Sequence, residues 1–455
     1  MNFASDEFLL LLPLVFCVYW TLGRSARRQN VILLLASYLF YGWWDGRFLL
    51  LLVLSSVCDF FIAGKVESSE GSRRRNWLWL SVLINLGILG AFKYFGFFVD
   101  SFVELSAKLG VSLHPYTLNL VLPIGISFYT FQTLGYTIDV YKRRTPPCQN
   151  AIEFLTFVAF FPQLVAGPIE RAGDMLVQFR RRRHFVYEEA ASGFRVLLWG
   201  FFKKLVVADN CALIVDFVWS NSEARGGLVW LAIFLFSFQI YADFSGYSDI
   251  ALGTARFFGI RLSWNFRYPY FSSGLQDFWR RWHITLSLWF RDYVYIPLGG
   301  KRRAHARNLI CTFLLSGLWH GANWTYLGWG LVHGVSYVLW TGRLPRLVTF
   351  VWVSLCWVVF RAPTLPEAYL FVIRGLDGMS PWHVLPASDH LVCGLLGVVV
   401  LILAEASAIG KHDSPVCVLD GKPLLVRWVT YIGLSTAIYL LGNFGGGYDF
   451  IYFQF

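Results

Sequence analysis

Apolar runs long enough to cross a bilayer recur along almost the whole of this sequence. They fall near residues 6–23, 29–44, 47–64, 76–98, 118–141, 192–219, 228–258, 309–341, 346–361, 390–409 and 424–442. A spanning helix needs about 20 mostly apolar residues. Lipid offers no hydrogen bonds, so a spanning backbone must satisfy its own polar groups as helix or closed barrel. Runs of this length fit helices. The charged fraction is 15%, against roughly 25% in soluble domains. The expected fold is an all-α polytopic membrane protein, with about 11 or more transmembrane or re-entrant helices. The run 309–341 is expected as two short or broken helices.

Basic clusters separate the runs: GRSARR at 23–28, SRRRN at 72–76, YKRR at 141–144, QFRRRRH at 178–184 and GGKRRAHAR at 299–307. Retained cytoplasmic loops are rich in Lys and Arg. That rule accounts for most of the net charge of +11 without nucleic acid. It places the basic loops inside and both termini outside the membrane. The first run lacks a basic n-region and reads as a retained span, not a cleaved signal. Segment 151–168 has basic loops on both sides, so it is expected to enter and return on one face. Pro162 and Gly167-Pro168 would break a straight helix there. The eight cysteines form no CxxC and read as small buried hydrophobes.

The segment LLSGLWHGANW, 314–324, puts an ionisable side chain, His320, inside an apolar run. Such a residue points to function by default. The plain alternative is a core histidine bonded to a neighbouring helix. Further polar groups weigh against that alternative. They are Gln239, Asp243, Ser245 and Asp249 in FQIYADFSGYSD, and Ser127, Gln132 and Asp139 upstream. Burying unpartnered polar groups is costly. A polar tunnel explains them together, with Gln239, Asp243, Ser245, Trp319 and Asn323 on its wall.

The stretch 271–303, FSSGLQDFWRRWHITLSLWFRDYVYIPLGGKRR, reads as an amphipathic helix at the inner interface. Phe278, Trp282, Leu286, Trp289 and Tyr293 form one stripe; Arg280, His283, Ser287 and Arg291 form another. The plain reading is a lipid anchor with His283 at headgroup level. A functional reading gives Arg280, Arg281 and Arg291 to the phosphates of a polyanionic donor, since Arg matches phosphate bidentately. A histidine can take a proton from a hydroxyl and return it to a leaving group. No GxSxG, no Ser-His-Asp spacing and no metal-ligand set accompanies His320. The donor must then arrive already activated, such as a thioester.

YADFSGYSDIALG, NFRYPY, DFWRRWHITLSLWFRDYVYIPLGG and SGLWHGANWTYLGWG closely resemble the bacterial membrane-bound O-acyltransferases. LPIGISFYTFQTLGYTIDVY and FFPQLVAGPIER match as well. Within that family the similarity points to the proteins that send acetyl groups to alginate, cellulose or peptidoglycan. The resemblance covers most of 1–345, with core motifs in 121–345, and weakens over 346–440. It implies one transmembrane acyltransferase domain over 1–441, its helices arranged around a central funnel or tunnel, and a tail motif over 442–455. It makes His320 the catalytic histidine and His283 a second one. It implies acetyl-CoA or another acyl thioester as donor and no resident cofactor. Implied partners are an extracytoplasmic SGNH-hydrolase-like acetyltransferase, the glycan synthesis machinery and membrane lipid, in the bacterial inner membrane. Transfer to teichoic acid, lipid or protein stays open, as does a transporter or channel with a histidine gate.

The tail reads GNFGGGYDFIYFQF. Gly445 to Gly447 make a hinge. Beyond it Phe450, Phe453 and Phe455 bracket Tyr452. An aromatic interface anchor is the bland reading. The tail also resembles the C-terminal motif of a small membrane peptide that partners the D-alanylating relatives. That resemblance implies Tyr452 as an acyl carrier.

Overall fold

The structure, a computed structural model, describes residues 3–113, 120–378, 388–445 and 450–451. Among these residues the regular structure is helical, with no strand. Among the described residues, five helices are long and apolar enough to cross a membrane: Gly46–Ser68, Gly71–Lys108, Gly226–Phe257, Asp389–Ala408 and Leu424–Leu441. Leu424–Leu441 has no buried residue, as expected of a helix whose solvent is lipid. The chain is a multi-pass membrane protein.

Two compact units are present: Met1–Val186 with Phe257–Leu262, and Tyr187–Arg256 with Ser263–Phe455. In the first, helices Asp6–Leu22, Ala26–Gly42 and Gly46–Ser68 start on the side chains of Ser5, Ser25 and Asp45. Each accepts a backbone N–H of the first turn, which satisfies a donor the helix cannot. The segment 151–168 does break. Ala151–Ala159 ends at Phe160, and one short turn, Phe161–Leu164, follows. The freed backbone groups find partners inside the unit. Gln132 and Gln163 donate to the Phe157 carbonyl at 2.8 and 3.3 Å, and the Phe161 N–H donates to Ser37 Oγ at 3.1 Å. Irregular backbone at membrane depth is tolerated only under such cover. Gln132 is thus a structural ligand of the break. Asp139 lies 3.4 Å from Arg144 and 3.8 Å from Arg171. These two polar residues, expected on a tunnel wall, are partnered within the protein instead.

The second unit contains Tyr187–Phe201, a wide π-helical turn Phe202–Ala208, and Asp209–Ser220. Gly226–Phe257 crosses them in backbone contact at two places. A Cβ on Gly200 would sit 2.7 Å from the Gly246 carbonyl oxygen, and one on Gly253 would sit 2.5 Å from that of Gly193. Small residues permit this approach of membrane helices. It brings two buried lysines of the π turn onto the acidic face of the long helix. Lys203 Nζ lies 2.6 Å from Asp249 and donates to Ser245 at 2.9 Å. Lys204 Nζ lies 2.8 Å from Asp209 and 2.9 Å from Asp243.

The run 309–341 forms two helices, His305–His320 and Trp324–Leu339. Asn323 starts the second; its Oδ1 accepts the Thr325 N–H at 3.0 Å. Gly317 and Gly330 let this hairpin close, since Cβ atoms there would meet the Tyr326 and Phe313 carbonyl oxygens at 2.1 and 2.4 Å.

Candidate active site

The stretch 275–295 is not the continuous helix that its stripes predict. Leu275–Trp279 and Ile284–Phe290 are separate, and a π turn, Arg291–Tyr295, follows. The break centres on His283, whose backbone is left-handed at φ +40° and ψ +56°. A non-glycine residue there costs on the order of 1–3 kcal/mol. Tertiary bonds hold it. The Ile284 N–H donates to the Asn265 carbonyl at 2.9 Å, and the Arg267 N–H to the Arg281 carbonyl at 3.0 Å. The turn drives His283 inward, to 1% exposure. That overturns the reading of His283 as a headgroup-level residue.

Asn265 fixes the ring of His283. Its Oδ1 takes the Thr285 N–H at 3.3 Å and the Thr285 hydroxyl at 3.0 Å, and lies 3.1 Å from His283 Nδ1. A backbone N–H can only donate, so this atom is the oxygen. His283 Nδ1 therefore carries a proton, and in the neutral ring Nε2 is the basic nitrogen. The other histidine, His320, ends the helix His305–His320, and the two rings lie 6.4 Å apart. Trp319 packs against both, at 5.9 Å from His283 and 5.0 Å from His320. Trp329 and Phe360 close on His320 at 5.3 Å each. This aromatic wall keeps the pair out of bulk water. Trp324, four positions past His320, is 55% exposed.

A cavity of about 730 Å³ carries both histidines on its wall. The residues of the polar stripe, Arg280, His283, Ser287 and Arg291, all line it, and so do Lys301 and His305. One cavity thus joins two imidazoles to a set of cations. Arg281 is absent from the wall and bonds Asp277 at 2.8 Å.

Gln239, Asp243, Ser245, Trp319 and Asn323 are not on the wall of this cavity either. Gln239 is buried. Asp243 and Ser245 hold Lys204 and Lys203, Trp319 stands behind the histidines, and Asn323 caps a helix. Partnering inside the protein satisfies Asp243, Ser245 and Asn323 as well as tunnel water would.

The tail returns to this unit. Phe450 is fully buried, 4.6 Å from the Tyr247 ring and 5.5 Å from the Phe244 ring. Phe244 meets His283 edge-on at 4.6 Å. Tyr452, Phe453 and Phe455 lie outside the described residues. The sequence reading passed over Asn265, Lys203 and Lys204. NFRYPY begins on that asparagine, and two lysines inside an apolar run are themselves a signal.

The sequence model of the membrane-bound O-acyltransferase family (MBOAT) matches residues 140–349. A probable alginate O-acetylase of Pseudomonas aeruginosa is 43% identical over 421 residues, which cover 88% of this chain and 80% of that protein. A peptidoglycan O-acetyltransferase of Helicobacter pylori is 37% identical over 417 residues, covering 81% of this chain and 78% of that protein. A teichoic acid D-alanyltransferase of Streptococcus thermophilus is 29% identical over 267 residues, covering 53% and 63%. With such identity over most of its length, the chain belongs to the membrane-bound O-acyltransferase family and is an O-acyltransferase.

Proposed function

We propose that this enzyme takes an acetyl group from a cytoplasmic thioester, acetyl-CoA, and sends it to hydroxyls of an extracytoplasmic polysaccharide. One observation carries the reading: His283 and His320 share a cavity wall with Arg280, Arg291 and Lys301. A polyanionic thioester needs that combination. The cations take the phosphates, and the acyl group faces the imidazoles. The volume falls within the range of about 300–1,000 Å³ common for ligand pockets. His320 acts as general base. It takes the proton of the attacking hydroxyl, whose oxygen bonds to the thioester carbonyl carbon. The carbon–sulfur bond then breaks, and the departing thiolate takes the proton back. His283, its Nδ1 held by Asn265, presents Nε2 to the same chemistry.

The acceptor class follows the relatives named for alginate and peptidoglycan. In this reading the chain sits in a bacterial inner membrane as a single acyltransferase domain, with both termini outside. Tyr452 carries the acetyl group outward to an SGNH-hydrolase-like transferase of the glycan machinery. The D-alanyltransferase relative keeps teichoic acid as the second acceptor. Oriented vesicles test the donor side. Inside-out vesicles are expected to consume acetyl-CoA, and sealed right-side-out vesicles are not. Consumption only by right-side-out vesicles would overturn the reading.

A further inference from the structure

The C-terminal segment is held at two places, by the π turn with the helix that follows it and by Asp243 of the long helix. After the helix Leu424–Leu441, the Asn443 N–H donates to the Leu205 carbonyl at 3.0 Å. Asn210 Nδ2 donates to the Leu441 carbonyl at 2.8 Å. Both partners belong to the π turn and the helix that follows it. Beyond the glycines, the Ile451 N–H donates to Asp243 Oδ2 at 2.6 Å. The other oxygen of Asp243 faces Lys204, which also serves Asp209. A backbone N–H directed at Asp243 adds a hydrogen bond to this buried side chain. The flanking side chain does not decide this bond; only the presence of an N–H does. Phe450 then fills the space between Tyr247 and Phe244, and Phe244 touches His283.

We infer that Asp243, held by Lys204, is a positioning residue that docks the C-terminal segment beside His283. The inference rests on the proposed reading of the tail as part of the transfer path, but docking is measurable without it. The tail bond adds a second partner to Asp243, beside Lys204. The anchor sits one residue before Tyr452 in the sequence.

The test uses the full-length chain with a photoreactive azidophenylalanine at Phe450, and two substitutions of Ile451. Ile451→Val keeps the N–H; Ile451→Pro removes it and keeps an apolar side chain. Ile451→Val is expected to cross-link to the 241–250 segment as the parent does, whereas Ile451→Pro loses roughly tenfold or more in yield. Asp243→Asn, which keeps an oxygen acceptor without charge, is expected in between. Unchanged cross-linking in Ile451→Pro would overturn the inference. So would equal loss in Ile451→Val and Ile451→Pro, because packing alone would then hold the tail. If Ile451→Pro loses the cross-link and still acetylates glycan fully, docking stands and the carrier reading fails.

Discussion

Asn265 Oδ1 lies 3.1 Å from His283 Nδ1 and also accepts both donors of Thr285. One side-chain oxygen therefore sets a tautomer and a ring orientation, and the backbone carbonyl of the same residue helps hold the left-handed turn. Asn265→Ala is expected to leave buried donors unsatisfied, at about 1–3 kcal/mol. It should lower the melting temperature and cut acetyl transfer on the order of 10–100-fold, with KM for acetyl-CoA nearly unchanged. Steady-state kinetics on purified protein decide it; full turnover in the variant would remove Asn265 from the mechanism.

His320→Ala is expected to reduce transfer by about 10²–10⁴-fold, the usual worth of a general base. The histidine sits at the end of its helix beside an existing cavity, so the protein should insert and accumulate normally. His283→Ala should also impair turnover, and it does not relieve the strained backbone, since alanine is no better suited to φ +40°. Near-parental acetylation by His320→Ala, measured on isolated glycan, is the result that would defeat the scheme.

The arginines divide into two sets. Arg280 and Arg291 line the cavity, whereas Arg281 is held by Asp277 off its wall. Arg280→Ala and Arg291→Ala are expected to raise KM for acetyl-CoA roughly tenfold each, from a lost charged hydrogen bond, with kcat little changed. Arg281→Ala should leave KM alone. The effects of the first two should shrink at high salt as screening grows. A KM that ignores Arg280 and Arg291 would detach the cations from donor binding.

Much of the architecture is legible in hydrophobic pattern, because lipid imposes helices. The run 346–361 is the helix Arg346–Arg361, and 309–341 divides at Gly321 and Asn323. Arg280, His283, Ser287 and Arg291, one stripe in the sequence, all line the cavity, yet the helix of that stripe is broken. Periodicity cannot see that break, because its cause is Asn265, eighteen positions upstream. The partners of the polar residues on the long helix are hidden for a related reason. Asp243 and Ser245 look stranded in the sequence because Lys204 and Lys203 approach from another helix. Only the glycine crossing reveals that the partners can meet.

That crossing is itself testable. A Cβ on Gly246 would lie 2.9 Å from the Gly200 carbonyl oxygen, a rigid backbone atom. Gly246→Val is expected to separate the helices at a cost of at least about 1–3 kcal/mol. It should also disturb the Lys204–Asp243 pair, so melting temperature and activity fall together. Gly433→Val is the control, because no atom stands within 4 Å of a Cβ there. Equal tolerance of both substitutions would show that the crossing does not hold the unit together.

The last prediction concerns the tail hydroxyl. Phe450 and Ile451 are buried beside Phe244, which touches His283. Tyr452 follows them in the sequence, outside the described residues. In the proposed scheme a histidine takes the phenolic proton, the tyrosyl oxygen attacks the thioester carbon, and the thiolate leaves with the proton. The product ester keeps much of the activation of the thioester, since phenolate is a good leaving group with pKa about 10. An extracytoplasmic transferase can then collect the acetyl group. Tyr452→Phe keeps ring, size and apolarity and removes only the hydroxyl. An interface anchor tolerates that change with nearly full activity, because it needs the ring alone. A carrier cannot, because the atom that forms the ester is gone. The expected outcome is almost complete loss of glycan acetylation, with the cross-link from residue 450 unchanged. Mass spectrometry of the parent, quenched during turnover, should find a 452-containing peptide heavier by one acetyl group, absent in the variant. Normal acetylation by a Tyr452→Phe strain would end the carrier role and leave the docked tail as a structural plug.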